Sequence, residues 1–178
     1  MAVLQITLSW VASRDQQLMV RVNHWRPPQW LRMWMLAATR GGDGGLWYAL
    51  GLAVALYGGP LRFHALLAST LAVAAGIGLF LELKRLFRRK RPCALEPHCW
   101  AELLPPDQFS FPSGHTITAF AVAVSLGGFY PELIPGLIFC AVSIAASRVV
   151  LGMHFLSDVL AGAALGSALG AISTAMMR

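Results

Sequence analysis

The sequence predicts an all-α fold: an integral membrane bundle of five to six transmembrane helices with interfacial helices at the N-terminus. Three observations carry that prediction. Hydrophobic residues make up 57% of the 178-residue chain, against about 45–50% in a typical soluble domain. Charged residues make up 12%, against about 25%. The basic residues are also clustered, six of the fourteen lying between Lys84 and Arg91. So few charges do not cover the surface of a water-soluble domain of this size, and the apolar excess faces lipid. Disorder, most soluble enzyme folds and, despite the net charge of +6, a nucleic-acid-binding domain are excluded. The length fits one domain, residues 1–178, with 1–40 as the interfacial segment and 41–178 as the transmembrane core.

The elements follow in order. Met1–Ser13 is apolar but lacks the positive n-region and small-residue cleavage site of a signal peptide. Arg14, Arg21, Arg26, Arg32 and Arg40 then interleave with Trp10, Trp25, Trp30 and Trp34, the pattern of helices in the headgroup layer. Pro27-Pro28 divides this stretch. A sixth span here stays open, with interfacial helices the preferred reading. Gly41-Gly42-Asp43-Gly44-Gly45 is read as a turn. The runs Gly44–Leu61, Phe63–Leu81, Phe109–Pro131, Leu133–Ser147 and Val159–Met177 carry no Asp, Glu, Lys or Arg. A span needs roughly 20 residues, so the fourth extends through Val149–Met153 and sets Arg148 near the interface. Gly162, Gly166 and Gly170 lie four apart in the last run and predict close helix packing.

Polar residues collect at the ends of these runs. Lys84 and Arg91, seven apart, share a face if the second helix continues past its apolar part. Pro112-Ser113-Gly114-His115 opens the third span, Ser147-Arg148 closes the fourth, and His154 and Asp158 open the fifth. Alternating topology brings every one of them to one side of the membrane. Lys84, Arg91 and Arg148 suit a phosphate, the guanidinium forks bidentately. Ser113 and Gly114 sit where the N–H groups of a starting helix favour an anion. An i, i+4 pairing lets Asp158 hold one nitrogen of His154 and leave the other as a nucleophile. His115, from another helix, is placed to protonate a leaving oxygen.

These residues match three motifs. Lys84 through Arg91-Pro92 fits K-x6-R-P, residues 112–115 read P-S-G-H, and Ser147-Arg148, His154 and Asp158 fit S-R-x5-H-x3-D. Over about residues 40–178 the chain thereby resembles the type 2 phosphatidic acid phosphatase family. The resemblance implies a phosphohydrolase with no metal and no cofactor, working through a phosphohistidine on His154 oriented by Asp158. His115 acts as proton donor, and Lys84, Arg91, Ser113, Gly114 and Arg148 bind phosphate. That family also holds soluble acid phosphatases and vanadium-dependent haloperoxidases, and the five spans favour its membrane lipid phosphatase branch.

A site at the lipid–water boundary suits a lipid phosphate as substrate partner. Undecaprenyl diphosphate is the first expectation, phosphatidylglycerophosphate or phosphatidic acid the alternative. A small lipid transporter and a non-catalytic lipid-binding protein are the readings from other classes. Charges gathered at one end count against the first, and both histidines in place count against the second. No His/Cys spacing resembles a zinc site, and Cys140 reads as a small buried hydrophobe. The positive-inside rule alone places the motif face in the cytoplasm. Phosphate binding itself demands several of those charges, and bacterial relatives face the periplasm. The expectation is therefore a bacterial inner-membrane protein with a periplasmic site, where Cys93 and Cys99 would form a short disulfide.

Overall fold

The structure is a computed structural model that describes residues 2–25, 27–95 and 107–178, and side chains from residue 9 onward. Among the described residues it is helical, with one isolated β-bridge between Lys90 and Phe109. The helices are α1 (Ala2–His24), α2 (Gln29–Gly42), α3 (Gly45–Tyr57), α4 (Arg62–Phe87), α5 (Pro92–Leu95), α6 (Gly114–Phe129), α7 (Ile134–Val150) and α8 (Leu156–Met177).

Each of the five uncharged runs forms a helix, and each break has a chemical reason. Gly44, at φ 129, adopts a conformation that favours glycine and separates α2 from α3. Gly58, Gly59 and Pro60 end α3 and start the turn into α4. Three segments, Gly59–Phe87, Pro131–Val150 and Leu156–Met177, are long and apolar enough to cross a membrane. The first and third expected spans come out shorter, α3 with 13 residues and α6 with 16. For α6 the reason is local: residues 109–113, counted as membrane in the apolar run, precede the helix, and Phe109 and Ser110 pair with Lys90 and Arg89. The fourth expected span, α7, stops at Val150, because Gly152 at φ 68 turns the chain towards His154.

The bundle is organised round α6, which packs against α4, α7 and α8. Successive turns of α6 are buried through Ile117, Ala121, Ser125 and Phe129. Ser69 of α4 and Ser125 of α6 share a 2.8 Å hydrogen bond within this core. The glycine stripe of α8 lies directly on α6. A Cβ at Gly162 would come 2.9 Å from the Ser113 carbonyl and at Gly170 2.8 Å from that of Ala121, and at Gly166 it would run into that of Ile117. Only hydrogen at these positions lets the backbones approach so closely, which in lipid is a main source of helix association.

The N-terminal helices sit at one end of the bundle. Asp15, near the middle of α1, accepts hydrogen bonds from the Ser157 N–H at 3.1 Å and from Arg89 at 2.7 Å. The middle of α1 is therefore level with the start of α8. Trp10, Trp25, Trp30 and Trp34 stay exposed, as an aromatic belt requires. From its first turns α2 follows α7 inward. Met35 packs on Leu151 and Met153, Thr39 meets Arg148, and Gly42 meets Ile144.

The α6–α8 contact admits a direct test. Gly166→Ala puts a methyl group into a backbone carbonyl and must push the helices apart, an overpacking cost of about 1–3 kcal/mol. The expected result is a thermal midpoint lowered by several degrees in detergent. Gly136→Ala, in open space, should leave the midpoint unchanged.

Candidate active site

At the end of the bundle where α4 and α7 stop and α6 and α8 begin lies a cavity of about 390 Å3, and Lys84, Arg91, Gly114, His115, Arg148 and His154 all line it. These are six of the eight residues singled out from sequence. The other two, Ser113 and Asp158, are fully buried behind it.

The first motif reaches the cavity differently from the expectation of a continuing helix. Helix α4 ends at Phe87, and Arg88 takes a left-handed conformation, φ 46, with its N–H on the Lys84 carbonyl. The chain then doubles back, and Ser110 donates its N–H to the Arg89 carbonyl at 2.8 Å. Lys84 and Arg91 consequently meet through this reversal. Both bind Asp107, Lys84 Nζ to Oδ2 at 2.6 Å and Arg91 Nη2 to Oδ1 at 2.9 Å. Burial raises the Asp107 carboxyl's affinity for a proton, but the two cations outweigh it and hold the group below the usual carboxylate range.

Arg91 is nearly inaccessible and fully engaged. Its Nε donates to the Asp107 carbonyl at 2.9 Å and its Nη1 to the Met153 carbonyl at 2.8 Å. The same Nη1 lies 3.1 Å from His154 Nε2. A guanidinium only donates, so Nε2 is the acceptor nitrogen, faces the cation, and leaves the ring proton on Nδ1. Arg148 donates Nη1 to Thr39 of α2, and its Nε is buried with no partner among the described residues.

His154 and Asp158 do not share a helix, as the i, i+4 reading assumed. His154 precedes α8, its N–H bonded to the Arg148 carbonyl at 3.0 Å. Asp158, in the first turn of α8, accepts the Phe155 N–H at 2.9 Å, an N-terminal capping contact. Its Oδ2 stands 3.6 Å from His154 Nδ1, too far for a hydrogen bond, and that nitrogen is buried and unpartnered among the described residues. The other oxygen, Oδ1, receives Arg89 at 2.7 Å. Burial, and after it Arg91 and Arg148, outweigh Asp158 and push the His154 pKa down to about 4. His154 is therefore neutral across the physiological range.

Ser113 caps α6 but turns away from the cavity: its Oγ accepts from Thr116 Oγ1 at 2.9 Å and its N–H reaches the Asp158 carbonyl at 3.2 Å. Gly114 presents the first N–H of α6 at the cavity, where a side chain would crowd Phe80. His115 Nε2 is 2.7 Å from Asp43 Oδ1.

Sequence reasoning missed Asp43, Asp107, Arg89 and Asp15. Asp43 sits in sequence within a run of glycines that reads as a turn, and Asp107 belongs to none of the three motifs. Asp15 did carry a signal, as the only carboxylate in the first forty residues. Of the two cysteines expected to pair, Cys93 in α5 is half-buried, and Cys99 lies outside the described residues.

By fold and site this is a helical membrane bundle with a cavity at one end that Lys84, Arg91 and Arg148 line. The chain belongs to the PAP2 superfamily, whose family model matches residues 63–178. It is 37% identical over 106 residues to decaprenylphosphoryl-5-phosphoribose phosphatase of Mycobacterium tuberculosis, covering 56% of this chain and 58% of that protein. To phosphatidylglycerophosphatase B of Bacillus subtilis it is 36% identical over 95 residues, 47% of this chain and 44% of that one. The chain thus matches less than two thirds of the length of these relatives. Among solved structures, a transmembrane PAP2-type phosphatidylglycerolphosphate phosphatase from Bacillus subtilis superposes with a TM-score of 0.74 at 28% identity, over 93% of this chain and 85% of that one. LpxE of Aquifex aeolicus does so with 0.73 at 28% identity, over 88% and 92%.

The depressed His154 pKa has a stability consequence with a definite sign. The unfolded histidine takes up a proton near 6.5, the folded one only near 4. Folding stability should therefore fall as pH drops from about 6.5 towards 4. Chemical denaturation in detergent across that window should show the decline, and His154→Gln should flatten it. An unchanged slope in the variant would contradict the assignment.

Proposed function

We propose that the chain is a membrane lipid phosphate phosphatase that works through a phosphohistidine on His154. The observation that carries this reading is one cavity, lined by Lys84, Arg91, Arg148 and His154, in which the unprotonated Nε2 of His154 faces Arg91. A neutral imidazole among fixed cations is a nucleophile beside an anion-binding site.

Substrate phosphate displaces the Asp107 carboxylate from Lys84 and Arg91, which then bind its oxygens together with Arg148 and the Gly114 N–H. His154 Nε2 attacks phosphorus in line, forming the P–N bond as the P–O bond to the lipid breaks. His115 gives its proton to the departing oxygen. In the second step His115 takes a proton from water, the water oxygen bonds to phosphorus, the P–N bond breaks and inorganic phosphate leaves. Asp158, held by Arg89, stabilises the positive charge that His154 acquires. The cations supply the charge neutralisation, so the scheme uses no metal.

An apolar groove of about 600 Å3, lined by Trp30, Trp34 and Phe139, adjoins the cavity where Ile144 meets Gly42. Hydrocarbon and phosphate surfaces side by side favour a lipid phosphate over a soluble one. Within that class undecaprenyl diphosphate remains our first reading, with phosphatidylglycerophosphate or phosphatidic acid the alternative. The name of the mycobacterial relative includes a decaprenyl chain, and that of the Bacillus relative a phosphatidylglycerophosphate. Phosphate release from a panel of purified lipid phosphates separates them.

His154→Ala should lower turnover at least about a thousandfold. Brief reaction with 32P-labelled substrate should label the wild type with an acid-labile, base-stable phosphoryl group, absent from His154→Ala. Activity should persist in EDTA. Loss with chelator and recovery with a divalent ion would overturn the metal-free scheme.

The proposed location is a bacterial inner membrane with the cavity on the periplasmic side, where Cys93 and Cys99 pair. An impermeant thiol reagent should then label neither cysteine in intact cells until a reductant is added. Labelling only after the membrane is permeabilised, with no reductant needed, would place the cavity in the cytoplasm.

A further inference from the structure

Asp43 occupies the turn between α2 and α3, where glycines on either side suggest a mere connector. Three observations give it more to do. Its Oδ1 lies 2.7 Å from Nε2 of His115. Both residues line the cavity that holds Lys84, Arg91, Arg148 and His154. The preceding residue, Gly42, is packed so closely that a Cβ there would stand 3.3 Å from Cδ2 of His115 and 3.1 Å from Cγ2 of Ile144. The turn is thus pressed against the imidazole by α2, which Thr39 ties to Arg148.

An imidazole offers two nitrogens, and a carboxylate on one of them decides the duty of the other. With Nε2–H donated to Asp43, Nδ1 is the nitrogen left to face a ligand in the cavity. The ionised carboxylate also favours the doubly protonated ring, which is the form that can give up a proton.

We propose that Asp43 is the positioning residue of the proton donor: it orients His115 and supports its protonated form, so that Nδ1–H is delivered to the leaving oxygen as the P–O bond breaks. The proton that leaves Nδ1 is restored in the second step from the attacking water, so Asp43 neither gains nor loses one over the cycle. This inference rests on the reading of His115 as the acid for the leaving group.

The test compares wild type, Asp43→Asn and His115→Ala in detergent on two phosphomonoesters, one with an alkyl and one with an aryl leaving group. An aryl oxide departs with little protonation, whereas an alkoxide requires it. His115→Ala should lose alkyl-phosphate turnover far more than aryl-phosphate turnover. Asp43→Asn, which keeps a hydrogen-bonding group and removes the charge, should lower kcat for the alkyl ester about 10- to 100-fold. Its kcat for the aryl ester, and KM for both, should change less than about threefold. An equal loss on both esters, or no loss on either, overturns the role of Asp43 if His115→Ala still discriminates between them. If His115→Ala does not discriminate, the reading of His115 itself fails. Should Asp43→Asn not fold, as its thermal midpoint would show, Gly42→Ala replaces it. The added methyl displaces the ring and should reproduce the alkyl-selective loss, while an equal loss on both esters again counts against the proposal.

Discussion

Lys84, Arg91 and Arg148 converge on one small cavity at the end of an apolar bundle, and their mutual repulsion has to be answered inside the protein. A cation buried without a partner is costly in a low-dielectric interior, and a close carboxylate offsets that cost only with well-formed hydrogen bonds. Asp107 supplies them by bridging Lys84 and Arg91 with one oxygen each. The reversal of the chain after Arg88 follows from this demand, because only a chain that doubles back brings residues 84, 91 and 107 within reach of one another. The carboxylate thus neutralises the two cations at the position proposed for the substrate phosphate.

A second charge chain runs behind the first. Asp158 is fully buried and held by Arg89, whose guanidinium also binds Asp15 of α1 and stacks over Phe155 at 4.1 Å. Removing one partner of such a buried pair typically costs about 3–5 kcal/mol. Arg89 therefore joins α1 to the carboxylate behind His154, and α1 belongs to the architecture of the site. The glycine stripe of α8 completes the support, since the α6–α8 approach sets Ser113 beside Asp158 and presents Gly114 and His115 to the cavity.

What could be read from sequence was whatever depends on composition and order. Uncharged runs become helices because lipid and the backbone's own hydrogen bonds leave little choice, and the alternation of helix ends brings Lys84, His115, Arg148 and His154 to one side. What escaped depends on tertiary contact. That Arg88 would adopt a left-handed turn, that residues 109–113 would leave the third span, and that Ser113 would face inward follow from packing and pairing unrelated to periodicity. The carboxylates Asp15, Asp43 and Asp107 escaped for a related reason. Asp43 and Asp107 are unremarkable among their neighbours in the chain, and all three acquire their meaning from a cation or an imidazole 16 to 74 positions away: Arg89 for Asp15, His115 for Asp43, Lys84 and Arg91 for Asp107.

The account rests on His154 Nε2 as the atom that bonds to phosphorus, with the cations arranged round the oxygens. Vanadate takes up the five-coordinate geometry of phosphorus in transfer, so a crystal structure of the vanadate complex examines that claim most directly. The account predicts vanadium bonded to His154 Nε2, its equatorial oxygens on Lys84, Arg91 and Arg148, its apical oxygen towards His115, and Asp107 displaced from Lys84 and Arg91. Vanadate bound elsewhere, or bound in the cavity through another side chain with Asp107 still in place, would contradict it.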